Sequence, residues 1–486
     1  MFIYSLGYNP KKLDFFAFCI ALKMELCYNN INYILFAIAT GRNDMSTAIN
    51  ALINFIEKSP TAFHAVASCT EILEEQGYTR LCEQDAWKLE AGKGYYITRN
   101  QSSVIAFRVP HGKPRNFMVA ASHTDSPMFK VKSESLSPAF DQYARLNTEP
   151  YGGTIFSTWF DRPLSLAGRV IVSNEGKIEA RLINFERDLL VIPNVAIHMQ
   201  RGINSGYSYN PAIDLLPLLS QDAKTDIKDL IATEAGCEKE EILGYDLYVY
   251  NRTPATQIGV DCEFFSAPRI DNLMCAFGTL KGFLQSESKD SVTVFYSADN
   301  EETGSSTKQG AGSVFLSDVI DRICESFGID SRRALASSML LSADNAHAKH
   351  PNHPELCDAK NAPHMNGGVV IKNNAAQKYT TDAISASILG QMCAHAGVPT
   401  QQYANRSDMP GGSTLGSIAT TLTPMLSVDI GMAQLAMHSA YETAGSKDID
   451  YLIAASEAFY STELTVIGDG KYNLQFHTSK GARKDV

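Results

Sequence analysis

Ser297-Ala298-Asp299-Asn300-Glu301-Glu302-Thr303-Gly304-Ser305 is the stretch that decides the fold of this chain. It closes an apolar run, Ser291 to Ser297, in which Val292, Val294, Phe295 and Tyr296 read as a buried strand, and it ends in two adjacent carboxylates before a tight turn. Neighbouring side chains at a strand end point in different directions, so Glu301 and Glu302 can take separate tasks, one holding a cation and the other moving a proton. An isolated Glu-Glu pair in a loop is ordinarily just solvated. What gives this pair meaning is the company that the rest of the chain delivers.

Working outward, the apolar strand Asn116 to Ser122 is followed at once by His123-Thr124-Asp125-Ser126-Pro127. A histidine after a buried strand with a carboxylate two residues on is the pattern of a metal ligand and the group that fixes its tautomer. Met339 to Ser342 is another apolar strand and ends at Asp344, with His347, His350 and His353 in the next loop, and Gly367 to Lys372 ends in a cation. Met425 to Ile430 leads through Gln434 to Met437-His438-Ser439, and Ala383 to Ala396 reads as a helix. Asp271 stands just before the helical stretch Leu273 to Phe283, where a helix cap is its ordinary reading. Four strands thus place His123, Glu301 with Glu302, Asp344 and Lys372 past their carboxyl ends, where ligands bind in open α/β sheets. The fold class expected is α/β, a mixed, mostly parallel sheet flanked by helices.

Ahead of these strands, Ser46 is a candidate cap for a helix with Ile49, Leu52, Ile53 and Ile56 on one face, and a second helix runs from Thr61 to Gly77. Tyr95 to Thr98 and Val104 to Val109 read as a hairpin at a sheet edge. Residues 129–265 have a different texture, short strands such as Arg169 to Ser173 and Lys177 to Ile183 between Gly and Asn turns, and read as a β-rich insertion. Within it Trp159-Phe160-Asp161-Arg162 suits packing or an interface, His198 in an apolar segment reads as a core histidine, and Thr233 to Ile242 as a surface loop or short helix. The domain plan expected is a catalytic domain from 45–128 and 266–486, interrupted by 129–265, with 1–44 as an extension outside the fold.

At 486 residues, 44% hydrophobic, the chain has ample material for several buried cores. Its net charge of −11 and the lack of a basic run argue against nucleic-acid binding. The apolar runs Phe15 to Leu22 and Tyr33 to Ala39 are shorter than the ~20 residues a membrane span needs, and Asp14 spoils the first as a signal peptide. The ten cysteines form no C-x-x-C pair, which fits a reducing cytoplasm better than a disulfide framework or zinc ribbon. The G-x-S-x-G, G-x-x-x-x-G-K-[ST] and H-E-x-x-H motifs are absent, which disfavours a serine hydrolase, a P-loop nucleotidase or a zincin.

Histidines and carboxylates without cysteine suit zinc or another borderline divalent ion. Two such ions sharing a bridging carboxylate orient a water and lower its pKa towards about 7, while a free carboxylate handles the proton. That chemistry is peptide or amide hydrolysis, and an aminopeptidase, a carboxypeptidase or a deacylase on the same two-metal plan would each perform it.

Ala121 to Pro127, Ser157-Thr158-Trp159-Phe160-Asp161-Arg162, Asp299 to Glu302 before Gly304-Ser305, Asp344-Asn345-Ala346-His347 and Gln434 to Ser439, in this order, resemble the aspartyl aminopeptidase family of co-catalytic zinc exopeptidases. The resemblance runs from about Ser46 to the C-terminal region. It implies His123 and Asp344 on one metal, Glu302 and His438 on the other, Asp271 bridging, Glu301 as proton shuttle and Asp125 as the partner of His123. It also implies substrate contacts from His198 and His347, a pocket for an acidic amino-terminal side chain at Lys372, two divalent ions per subunit with Zn²⁺ foremost, peptide substrates, and a dodecamer in which the insertion is a dimerisation domain. Thr303 stands where the family carries a branched aliphatic residue, and residues 1–44 have no counterpart.

Overall fold

The structure, a computed structural model, describes residues 47–476. Ser46, the extension and its two apolar runs lie outside the described residues.

The centre is a nine-stranded sheet whose middle strand, Asn116–His123, is buried along its whole length. Its alternation serves two cores at once. Phe117, Val119 and Ala121 join Phe315, Ile320 and Leu415 on one face, whereas Met118 and Ala120 join Leu273, Phe277 and Phe459 on the other. Ser291–Ala298 does the same, with Val292, Val294 and Tyr296 on the first face and Phe295 on the second. Helices Phe315–Phe327 and Leu415–Leu422 cover one side; Thr47–Glu57, Ala62–Glu75, Ile270–Gln285, Ala383–His395 and Asp448–Ser461 cover the other. Burying each large apolar side chain contributes about 1.5–3 kcal/mol, which holds these layers together.

Ser291–Ala298, Asn116–His123, Met339–Ala343 and Leu426–Gly431 are mutually parallel neighbours, so their carboxyl ends share one edge. The hairpin Gly94–Arg99 with Ser103–Arg108 lies on one flank, beyond which, among the described residues, only Thr79–Arg80 adds to the sheet. On the other flank the expectation for Lys372 needs correcting. Val369–Asn373 runs antiparallel to Leu426–Gly431, with Ile371 opposite Ile430, so its carboxyl end does not lie at the common edge. Lys372 is buried within the strand and reaches the edge through its long side chain.

A six-stranded antiparallel sheet is built from Met128–Leu136, Ala144–Tyr151, Leu164–Asn174, Lys177–Asn184, Leu218–Ser220 and Ile242–Asn251. It has its own core, in which Trp159 meets Phe129 edge-on at 5.0 Å, so the tryptophan is packing material. The stretch Thr233 to Ile242 holds the end of a helix, Ile227–Ala235, and a short turn, Lys239–Glu241. Sequence reading missed the part of the helix before Thr233, where Ile227 and Ile231 make a buried stripe and Asp226 caps the start at Lys228 N (2.9 Å); Gly236 ends the helix with φ 63°. His198 is no core histidine. It is exposed, and Ile197 and Met199 beside it are 48% and 83% exposed, because the turns of this stretch aim its apolar side chains outward.

A third, five-stranded sheet joins Thr256–Ile258, Phe264–Ala267, Glu442–Gly445, Ala433–Leu435 and Ala346–His347. It runs beside the common edge and brings Asp271, His347 and His438 there.

Candidate metal centre

His123 is the last residue of its strand and stands opposite Ala298, while Asp344 directly follows Met339–Ala343. After Ala298 the chain turns at Asn300, in the left-handed region with φ 61°, into the short turn Glu301–Thr303. Asp125 fixes this turn: Oδ1 accepts from Glu301 N at 3.2 Å and Oδ2 from Glu302 N at 3.1 Å. It also faces His123, whose Nδ1 lies 3.4 Å from Asp125 Oδ1 and 3.1 Å from its carbonyl oxygen, leaving Nε2 to point into the centre. The expected orienter of His123 therefore sets the two glutamates as well.

Asp271 is not a helix cap. The helical stretch Ile270–Gln285 has Arg269 as its cap residue, and Asp271 (φ −80°, ψ 107°), joined to Asn272 by a cis peptide bond, departs from helical geometry. Its carboxylate instead lies between two histidines, with Oδ1 3.5 Å from His123 Nε2 and Oδ2 3.5 Å from His438 Nε2. His123 Nε2 is also 3.6 Å from Asp344 Oδ1, and His438 Nε2 is 3.4 Å from Glu302 Oε2. Two donor groups result, His123-Asp271-Asp344 and Asp271-Glu302-His438, each with its atoms within 4.8 Å of one another; His123 with Glu301 and Glu302 forms a third. Asp271 Oδ1 and Glu302 Oε1 are buried and, among the described residues, have no hydrogen-bond partner. Buried carboxylate oxygens left so are costly in a protein alone and suit a divalent cation. The residues fit zinc.

The six-stranded sheet contributes a contact that sequence reading missed. Tyr151 OH donates to Asp125 Oδ2 at 2.7 Å and accepts from Asn300 Nδ2 at 2.9 Å. Gly153 O accepts from His438 Nδ1 at 3.1 Å, which fixes that ring as Asp125 fixes His123. A Cβ on Gly152, where φ is +73°, would lie 3.0 Å from Glu302 Cβ, so only glycine lets the strand end pass so close. The adjacent glycines after a tyrosine were the available signal.

Charge is crowded here. Burial pushes Glu301 up to about 8, His123 opposing and Asp344, Asp125 and Asp271 adding to the rise. Burial likewise drives Glu302 well above its ordinary range, with Asp271 beside it. Burial disfavours the charged form of His438, but its bond to Asp271 and the charge of Glu302 outweigh this and raise it to about 10. A cluster of carboxylates this dense, around two imidazoles, is what divalent cations would neutralise.

Lys372 Nζ lies 3.3 Å from Asp344 Oδ2 and 5.4 Å from the centre of the Tyr379 ring. His347 lines a cavity of about 310 Å³ with Tyr403, Gln434 and Met437, and is close enough to Lys372, Asp271, Asp344 and His438 to feel their charges. His198 is the one expected site residue for which the described residues show no contact with this cluster.

Residues 55–460 match the family described as aminopeptidase I zinc metalloprotease (M18). The chain belongs to the M18 family. A probable M18 family aminopeptidase 2 of Clostridium acetobutylicum is 42% identical over 432 residues, covering 86% of this chain and all of that protein. The structure is similar to that of Ape4 in its complex with Nbr1 (TM-score 0.82, 35% identity, 85% of each chain) and to the S. cerevisiae mApe1 dodecamer (TM-score 0.75, 25% identity, 85% of this chain and 96% of that one). This M18 protein is accordingly a zinc metalloaminopeptidase, a hydrolase of peptide bonds, which puts the deacylase and carboxypeptidase alternatives aside. No helix among the described residues is long and apolar enough to cross a membrane.

Proposed function

We propose that this aminopeptidase holds two divalent ions, zinc foremost, and removes amino-terminal Asp or Glu in preference to other residues. His123 and Asp344 would hold one ion, Glu302 and His438 the other, and Asp271 both. The observation that carries this is the bridging attitude of Asp271, one carboxylate oxygen at 3.5 Å from each histidine. Bound there, such ions supply Lewis acidity and lower the pKa of a water towards about 7.

Glu301, held by Asp125 but outside both donor groups that share Asp271, takes a proton from the attacking water on a carboxylate oxygen and returns it to the leaving amine nitrogen. Two cations nearby would favour the ionised form of this buried carboxyl, the form that accepts the proton. Lys372 supports the acidic preference: its ammonium has three donors and, among the described residues, one hydrogen-bond partner, Asp344. His347 would contact the peptide from the adjoining cavity.

The assembled form of mApe1 named above favours a homo-oligomer, dodecameric in our reading. Residues 45–128 and 266–486 form its catalytic domain, 129–265 its dimerisation domain, and His198 of one subunit serves a neighbour's site. Eight described cysteines are free, in keeping with a reducing, cytoplasmic setting. The test is metal counting joined to hydrolysis. Chelation should abolish activity and zinc restore it at two ions per subunit, with Asp- and Glu-amino-terminal peptides cleaved faster than Leu peptides and N-acylated peptides untouched. One ion per subunit, or faster cleavage of Leu peptides, would overturn the corresponding half.

A further inference from the structure

We propose that Glu442 is a positioning residue that holds Asp271 and His438 in register, so that its loss loosens the ion on the Asp271-Glu302-His438 side first. The inference rests on the two-ion assignment above.

Glu442 opens the strand Glu442–Gly445 and is 1% exposed. Its Oε2 accepts from the backbone N–H of Asp271 at 3.0 Å, and its Oε1 from the backbone N–H of His438 at 2.8 Å and from Gln434 Nε2 at 3.2 Å. One carboxylate thus ties together the backbones of two donors that come from distant parts of the chain. Gln434 extends the tie: its Oε1 accepts from Asn345 Nδ2 at 2.8 Å, and the same amide donates to Ile270 O at 2.9 Å. Asn345 follows Asp344 and Ile270 precedes Asp271, so the second arm reaches the other ion's donors only through neighbours in sequence. The asymmetry is the basis of the proposal. Glu442 grips two members of the His438 group directly, but a single member of the His123 group.

The chemistry demands a carboxylate at this place. Both oxygens accept from backbone N–H groups, and a glutamine of the same shape can accept with only one oxygen while its NH₂ faces the other N–H. Either Asp271 or His438 must then move. Partners that hold metal-ligating groups in place are typically worth about 10–100-fold in metal affinity or activity.

The experiment compares Glu442→Gln with Glu463→Gln in the full chain. Glu463 also accepts from backbone N–H groups, Lys289 at 2.8 Å and Asp290 at 3.1 Å, but it serves the start of the Ser291–Ala298 strand, the end away from Glu301. Zinc affinity is read by competition with a chromophoric chelator, ligand geometry by the visible spectrum of the cobalt-substituted protein, and folding by Tm. We expect Glu442→Gln to bind one of its two zinc ions about ten- to hundredfold less tightly than the parent does, and to alter the cobalt spectrum. Glu463→Gln should lower Tm and leave both readings as in the parent. Gln434→Met, which keeps the volume and both backbone bonds, should weaken the same ion to a smaller degree. A parent-like affinity and spectrum in Glu442→Gln, equal weakening of both ions, or the same change in Glu463→Gln would overturn the proposal. Should Glu442→Gln not fold, a parent-like zinc affinity in Gln434→Met does so. A parent that binds one ion would defeat the two-ion assignment, and the role of Glu442 then stands or falls on whether its substitution weakens that ion.

Discussion

The Glu301–Thr303 turn and the Pro193 to Met199 stretch are both loops assigned to one reaction, and the protein treats them in opposite ways. The first is bound by Asp125 through two backbone N–H groups, with Tyr151 holding Asp125 from behind. The second is exposed, with His198 in solvent between Ile197 and Met199. Groups that must keep their geometry through proton transfer are fixed by the fold of a single chain, because small misplacement there lowers the rate steeply. A group that only contacts substrate, the role we propose for His198, can be left to an exposed loop with apolar side chains.

The sharpest way to break that comparison is Glu301→Gln. It keeps shape and the backbone bonds to Asp125 but cannot carry the proton, so kcat should fall roughly 10²–10⁴-fold with zinc content unchanged. Glu302→Gln should lose zinc instead, and equal zinc loss in the two, measured by metal analysis, would erase the division of labour between them. Asp125→Asn comes next. Its amide can accept from one of the two glutamate N–H groups but not both, so zinc affinity should fall about 10–100-fold, read by chelator competition.

The nine-stranded sheet was legible because Asn116–His123 and Ser291–Ala298 carry apolar residues on both faces, and a strand that buried in an α/β chain ends at a ligand-binding edge. Direction was not legible for Val369–Asn373. Its residues are as apolar as those of its neighbours, and only the path of the connection makes it antiparallel. Asp271 and His438 were assigned to metal by resemblance alone, since one stands where a cap belongs and the other in a turn between short strands. Glu442 gave no sign at all, because what it holds is backbone, and backbone partners leave no pattern in sequence. His198 was misread for a related reason: apolar neighbours signal a core only if their side chains face inward.

Lys372→Met addresses the boundary between the fixed and the contacting parts. Losing one partner of a charge-assisted contact costs about 1.5–3 kcal/mol, so kcat/KM for Asp and Glu peptides should drop roughly ten- to a hundredfold, and much less for Leu peptides. Because Lys372 also bonds Asp344, zinc content must be measured beside it. Equal loss for Asp and Leu peptides at full zinc content would move Lys372 from specificity to structure.

The smallest effect belongs to His198→Ala. A neutral hydrogen bond contributes about 0.5–1.5 kcal/mol, so kcat/KM should fall roughly two- to tenfold while zinc content and Tm stay as in the parent. No group of the described chain depends on His198 for its place in the site, so under the proposed role the loss comes from a contact made across subunits. The decisive measurement is therefore concentration dependence. If His198 serves a neighbour's site, diluting the parent until it dissociates should bring its kcat/KM down to that of the variant, whereas the variant's loss of activity on dilution should be correspondingly smaller. A dissociated parent that keeps full activity would remove His198 from the reaction and leave the exposed stretch as an assembly surface only.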